Sequence, residues 1–218
     1  MRNVKIALLL LPLASFVSCI GVKADISVRA DGSGKMAIEY RVSQMAEALG
    51  RLDGNQRWQT VPVGRADFER SMARLPGLRL SSFSSKSDGK DVINRAELEF
   101  KKVEDLLAFL NPAGKEGLAS FSQDKGKSRL RLIFSEGAAD ADADLLLLVK
   151  SMSEGYELSV SLSVSENAEL VLTDGAGQGI KESPVSVRIV PSGKKISFTI
   201  DTGELLSLKE GLGVELCW

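Results

Sequence analysis

The 218-residue chain contains no histidine. That absence removes Ser-His-Asp and Cys-His catalysis, histidine-ligated zinc, and the usual general base near neutral pH. Any catalysis would have to use carboxylates, a lysine or a tyrosine. Cysteine is nearly as scarce, with only Cys19 and Cys217 present. Charge of one sign is also lacking, because the formal net charge is −1. Nucleic acid demands clustered Lys and Arg, so it is excluded as a partner, and so is a broad basic surface for anionic lipid. No run reaches eighteen apolar residues. The longest, residues 6–17, reaches about 18 Å as a helix, short of the ~30 Å hydrocarbon core of a bilayer. A retained transmembrane helix is therefore not expected. No repeat of solenoid or propeller period is present, and no linker rich in Pro or Ser divides the chain.

What is present begins at the N-terminus. Arg2 and Lys5 give a basic start, an apolar stretch follows, and Phe16-Val17-Ser18 runs from bulky to small into Cys19. A basic, then apolar, then small-residue order is the architecture of an export signal. With a cysteine at the cut, this N-terminus resembles a bacterial lipoprotein precursor of the looser, spirochaete-like kind. The family usually carries Leu where this chain has Phe16. The resemblance implies cleavage between Ser18 and Cys19 by a lipoprotein signal peptidase, then a diacylglycerol, with acyl chains such as palmitate, on the Cys19 sulfur. The competing reading is ordinary cleavage after Ala24, since Val22-Lys23-Ala24 has the small-x-small outline.

Each buried methylene contributes about 0.8 kcal/mol, so one acyl chain holds a protein marginally and two hold it stably. The expected organisation is a signal peptide over 1–18, a lipidated N-terminus and short tether over 19–23, and one α+β domain over 24–218. A subdomain boundary, if there is one, falls near Gly137. Losing Arg2 and Lys5 takes the net charge from −1 to −3. The mature body would sit in water at the cell envelope, tethered to the outer membrane or the cell membrane. With Cys19 acylated, Cys217 has no intrachain partner and reads as a small packed hydrophobe beside Trp218.

Apolar alternation supplies most of the elements. Asp25 to Val42 reads as a hairpin around Asp31-Gly32-Ser33-Gly34, whose glycines reach positive φ at no steric cost. Helices are expected over Gln44 to Leu52 and Arg65 to Arg74, the second stopped by Pro76-Gly77. Leu78 to Ser87 and Val92 to Lys101 form another hairpin, followed by a helix over Val103 to Leu110 that ends at Asn111-Pro112. Strands are expected at Leu118 to Ser122 and Arg129 to Phe134, then a helix over Asp140 to Met152. Tyr156 to Ser165 alternates strictly between apolar residues and Glu or Ser, as a strand solvated on one side does. Further strands are read at Glu169 to Leu172, Val185 to Val190 and Ile196 to Ile200. The last dozen residues stay ambiguous, with Leu205, Leu206 and Leu208 expected inside. This order gives an α+β fold: a mainly antiparallel β-sheet with several short helices packed on one face.

Candidate chemistry is thin. Asp140, Asp142 and Asp144 alternate like the first ligands of a calcium loop, but Leu145 stands where that loop needs glycine and Ser151 where it needs Glu. They read as the acidic first turn of a helix. Asp174-Gly175-Ala176-Gly177-Gln178-Gly179 is glycine-rich, but a phosphate loop needs a helix after it. It reads as a sheet connection. Two Ser-x-x-Lys matches, at Ser122 and Ser192, fall in turns. No metal site and no cofactor are expected. Trp58, in the polar loop 53–60, is either a ring exposed to a partner or to headgroups, or a lid folded on the core.

The stretch from Ala24 to Leu49, with its Ala-Asp-Ile-Ser-Val-Arg-Ala-Asp-Gly-Ser-Gly start, is similar to the start of mycobacterial LppM-type lipoproteins. That resemblance implies an anchored α+β domain at the envelope, in a family implicated in glycolipid binding. The expected function is a noncatalytic envelope lipoprotein binding a lipid or an envelope protein. A lipid binder should line a cavity with apolar side chains, whereas a protein binder should expose them. The alternative is a carboxylate-dependent envelope hydrolase, with two acids converging in a cleft.

Overall fold

The computed structural model describes residues 20–44, 64–111, 117–124, 126–138, 142–181 and 186–218. Its strands are β1 (Ile20–Val28), β2 (Gly34–Ser43), β3 (Leu78–Ser87), β4 (Asp91–Phe100), β5 (Ala119–Asp124), β6 (Lys127–Ser135), β7 (Glu157–Ser163), β8 (Glu169–Thr173), β9 (Arg188–Ser192), β10 (Lys195–Asp201) and β11 (Leu212–Cys217). Four helices are described: α1 (Arg65–Arg74), α2 (Val103–Leu110), α3 (Ala143–Met152) and α4 (Thr202–Ser207). The expected helix over Gln44 to Leu52 lies almost wholly outside the described residues.

The α+β class holds, and the strands divide into two sheets. One has seven strands in the order β3-β4-β2-β1-β7-β10-β9, and the other has four in the order β5-β6-β11-β8. Every described pairing is antiparallel except β1 with β7, where Val22 lies beside Leu158 and Ile26 beside Leu162. Both sheets draw strands from both sides of Gly137. The first strand begins at Ile20, five residues earlier than its alternation suggested, so residues 20–23 pair with 39–42 inside the sheet.

Period-two alternation gives the large sheet one dry face and one wet face. Ala24, Ile26, Met36, Ile38, Leu98, Val160, Leu162 and Phe198 occupy neighbouring register positions on the dry side, and all are buried. The small sheet, α1 and α2 cover that side. Phe134 of β6 stacks on Phe198 of β10 with ring centroids 5.1 Å apart, joining the two sheets. Phe68 of α1 is completely buried among Tyr40, Phe83 and Phe109, with centroids 5.9 to 6.3 Å away. Burial alone pushes the Tyr40 phenol far above its ordinary value, because the charged form would lose its water.

The wet face carries cross-strand polar pairs. Ser159 and Thr199 hydroxyls meet at 3.0 Å, Ser161 and Ser197 at 2.8 Å, and Lys195 reaches Asp25 at 3.3 Å. Arg95 pairs with Glu39, while Lys35 and Arg79 share Glu99. Those two cations hold the Glu99 carboxyl below its usual value. Exposed pairs of this kind contribute little each.

Candidate binding groove

The end of the large sheet where β1 begins is tied together by a buried polar network. Asp91, only 3% exposed, accepts a 2.7 Å hydrogen bond from the Tyr156 hydroxyl and faces Arg41 at 3.1 Å. Lys90 lies over the Tyr156 ring, 5.9 Å from its centroid. Asp88 accepts from the backbone N–H groups of Asp91 and Lys90 and from Arg41, which together hold its carboxyl below the ordinary value. Tyr156 in turn fixes α4, because its carbonyl accepts from the Thr202 N–H at 2.9 Å. The Thr202 hydroxyl donates to the carbonyl of Ile20 at 3.4 Å.

Beside this network, α3, β9, β10 and the start of α4 enclose an open groove of about 640 Å³. Leu147, Lys150, Ser151 and Glu154 line one wall from α3 and the turn after it, and Arg188 and Thr199 line the other. Glu157, Asp201 and Glu204 complete it. Two of these carboxylates have structural partners. Asp201 caps α4 by accepting from the Glu204 N–H at 3.0 Å, and Glu157 faces Arg188 at 3.8 Å.

Exposed apolar side chains occur on α3 and β9, with Leu147 lining the groove itself, and Val171 on β8 is exposed away from it. Leu147 and Leu148 on α3 are 67% and 41% exposed, and Ile189 and Val190 on β9 are 38% and 52% exposed. Every residue of β9 is exposed. As the outermost strand it is blunted by its five-residue length and by Pro191, which has no N–H to offer an added strand. The groove therefore offers side chains, and the β9 edge offers little backbone.

The residues singled out from sequence fall elsewhere. Ser18, Cys19 and Trp58 lie outside the described residues, as does Asp140. Asp142 and Asp144 open α3, where the Asp142 carboxylate accepts from the Asp144 N–H at 2.9 Å as a cap does. The glycine-rich segment closes on itself as a sheet connection: Asp174 accepts from Gln178 N–H and Gly177 N–H, and Gly175 N–H donates to Glu210. Those donors are unavailable to a phosphate, and among the described residues the next element is the strand β9. Ser192 and Lys195 close the β9–β10 hairpin. Cys217 is a free thiol in β11, and Trp218 packs on Phe121 with centroids 6.0 Å apart. Among the described residues no cluster of three metal-ligating side chains occurs.

The groove residues themselves were missed. Leu147, Glu157, Arg188 and Asp201 are scattered over more than fifty positions, and ordinary helix and strand patterns account for each. Only the run of exposed apolar residues on β9 and the four leucines 145–148 carried a local hint.

No protein-family model matches this chain, and no curated protein matches it. Among solved structures, the folded domain of LppM from Mycobacterium tuberculosis, determined by NMR, is similar over 91% of this chain and 88% of that chain. The sequence identity is 12% and the TM-score 0.46.

Proposed function

We propose that this protein is a noncatalytic lipoprotein of the bacterial envelope, held at a membrane by lipid on Cys19, that binds an envelope protein partner in the groove between α3, β9 and β10. The observation that carries the binding reading is where the exposed apolar side chains lie. Of the five large apolar side chains exposed among the described residues, four (Leu147, Leu148, Ile189 and Val190) lie on the two elements that flank an open groove lined by six charged residues. A lipid carrier calls for an enclosed apolar lining, whereas exposed apolar residues beside an open cleft rich in charged side chains suit a protein surface.

The start of β1 supports cleavage before Cys19. Cutting after Ala24 would remove five of the nine residues of β1, including buried Ile20 and Ala24. A noncatalytic role is supported by the absence of histidine and by the structural partners of Asp201 and Glu157.

The test has two arms. Cells fed labelled fatty acid should label the wild-type chain, and Cys19→Ser should abolish both label and membrane association. A photocrosslinker at Leu147 should then give one discrete adduct in intact cells, while one at Lys86 should not. Lys86 lies on β3 at the far edge of the sheet, six strand spacings or roughly 29 Å from β9. Persistent labelling of Cys19→Ser, or matching adducts at both positions, would defeat the proposal.

A further inference from the structure

We infer that the groove receives a cationic segment of a membrane-bound protein, presented at the level of the lipid headgroups; this rests on the Cys19 anchor and on the groove proposed above. Charge is the first observation. The groove sets four carboxylates (Glu154, Glu157, Asp201 and Glu204) against two cations, Lys150 and Arg188. A cleft of one net sign focuses its field and favours a ligand of the other. At its rim Leu147 is 67% exposed, and the aliphatic stem of a bound lysine or arginine can lie along such a surface with its charge in the cleft.

Location is the second observation and is independent of charge. Cys19 is one peptide unit, about 3.8 Å between Cα atoms, from Ile20. Ile20 is bonded to Thr202, the residue after Asp201. Gly21 lies against the backbone of Glu157, where a Cβ on it would stand 3.5 Å from the Glu157 oxygen. One groove residue, Glu157, therefore adjoins the start of β1, and a second, Asp201, is next in the chain to a residue that does. A lipid on Cys19 would hold this end of the domain against the headgroup layer, which is roughly 5–8 Å deep on each side of a bilayer.

An anionic bilayer surface would be repelled by the groove's acidic excess, so headgroups are a poor occupant. A cationic protein segment at the same surface meets both conditions. Two partners confined to one membrane also gain effective concentration over free peptide.

The experiment uses the full mature lipoprotein in phosphatidylcholine vesicles, with its lipidation confirmed by intact mass before reconstitution. The probes are synthetic peptides carrying a benzophenone: a doubly acylated Lys-Leu-Lys-Leu-Lys segment, its Glu counterpart, and the Lys peptide without acyl chains. The acylated Lys peptide should crosslink to residues lining the groove. Its yield should exceed that of the acylated Glu peptide, and that of the soluble Lys peptide at equal bulk concentration, by at least about tenfold. The yield should fall at 1 M salt, where the screening length shrinks to about 3 Å. Paired Glu154→Lys and Glu157→Lys should reduce it about fivefold or more, and so should Leu147→Lys, an exposed position that guards against misfolding of the pair. Equal yields from Lys and Glu peptides, equal yields from anchored and soluble peptide, or adducts away from the groove would overturn the inference. A chain that carries no lipid at Cys19 fails the anchoring proposal instead, and the mass measurement reads that separately.

Discussion

Tyr156→Phe isolates the bond that ties the start of β7 to the start of β4. The substitution removes one hydroxyl and leaves the ring, which is 5% exposed, in its packing. The lost bond is a 2.7 Å donation to the buried Asp91 carboxylate. Hydrogen bonds to charged groups contribute about 1.5–3 kcal/mol net. Asp91 keeps Arg41 at 3.1 Å, so the carboxylate is not stranded, and a loss of about 2 kcal/mol is expected. For a domain of this size that corresponds to a fall in Tm of roughly 4–8 °C. Thermal unfolding followed by circular dichroism measures it directly. A double-mutant cycle with Asp91→Ala separates the pair energy from the packing of either side chain. A Tyr156→Phe protein that melts within about 1 °C of the wild type would refute the view that this network fixes the groove end of the sheet.

Removing the ring that anchors α1 tests the packing account: Phe68→Ala should cost about 3–5 kcal/mol in chemical denaturation, because Phe68 is fully buried among three rings. Gly211 has φ +72 and a Cβ there would stand 2.2 Å from the Ser135 oxygen, so Gly211→Ala should destabilise by more than about 1 kcal/mol in the same assay. Acid should weaken the hairpin turns at Asp31 and Asp88 and the Glu99 pairs. Their carboxyls are held below their ordinary values, mainly by the hydrogen bonds they accept from Ser33, from the Asp91 and Lys90 backbone, and from Arg79 and Lys35. A lowered folded value means that their stabilisation is present above the ordinary value, 3.8 for aspartate and 4.5 for glutamate, and is lost as pH falls through the folded one. Asp88→Asn should accordingly melt below the wild type at pH 7 and converge with it near pH 2; a gap that persists at pH 2 would contradict this reading.

Local pattern carried much of the fold. The alternation from Tyr156 to Ser165 found β7, and the glycines of Asp31-Gly32-Ser33-Gly34 found the β1–β2 turn. What it lacked was long-range pairing. Nothing in residues 20–28 announces a parallel partner more than 130 positions away in β7. β11 was unread because Leu212–Cys217 is short and interrupted by Gly213, yet it is an inner strand of the small sheet. That glycine is required by close packing, since a Cβ there would lie 2.7 Å from the Leu132 oxygen. The groove shared the same obstacle. Its lining comes from five elements whose residues do routine work locally, as Asp201 does in capping α4. Their convergence is a property of the sheet order and leaves no spacing in the chain.

Placement of the groove at a membrane depends first on how the cell processes the N-terminus. Mass spectrometry of the protein extracted from membranes should find an N-terminal peptide beginning at Cys19, its sulfur carrying diacylglycerol, with Ile20 to Ala24 retained to complete β1. An unmodified chain beginning at Asp25 would contradict the anchor, and with it the placement of the groove at the membrane surface.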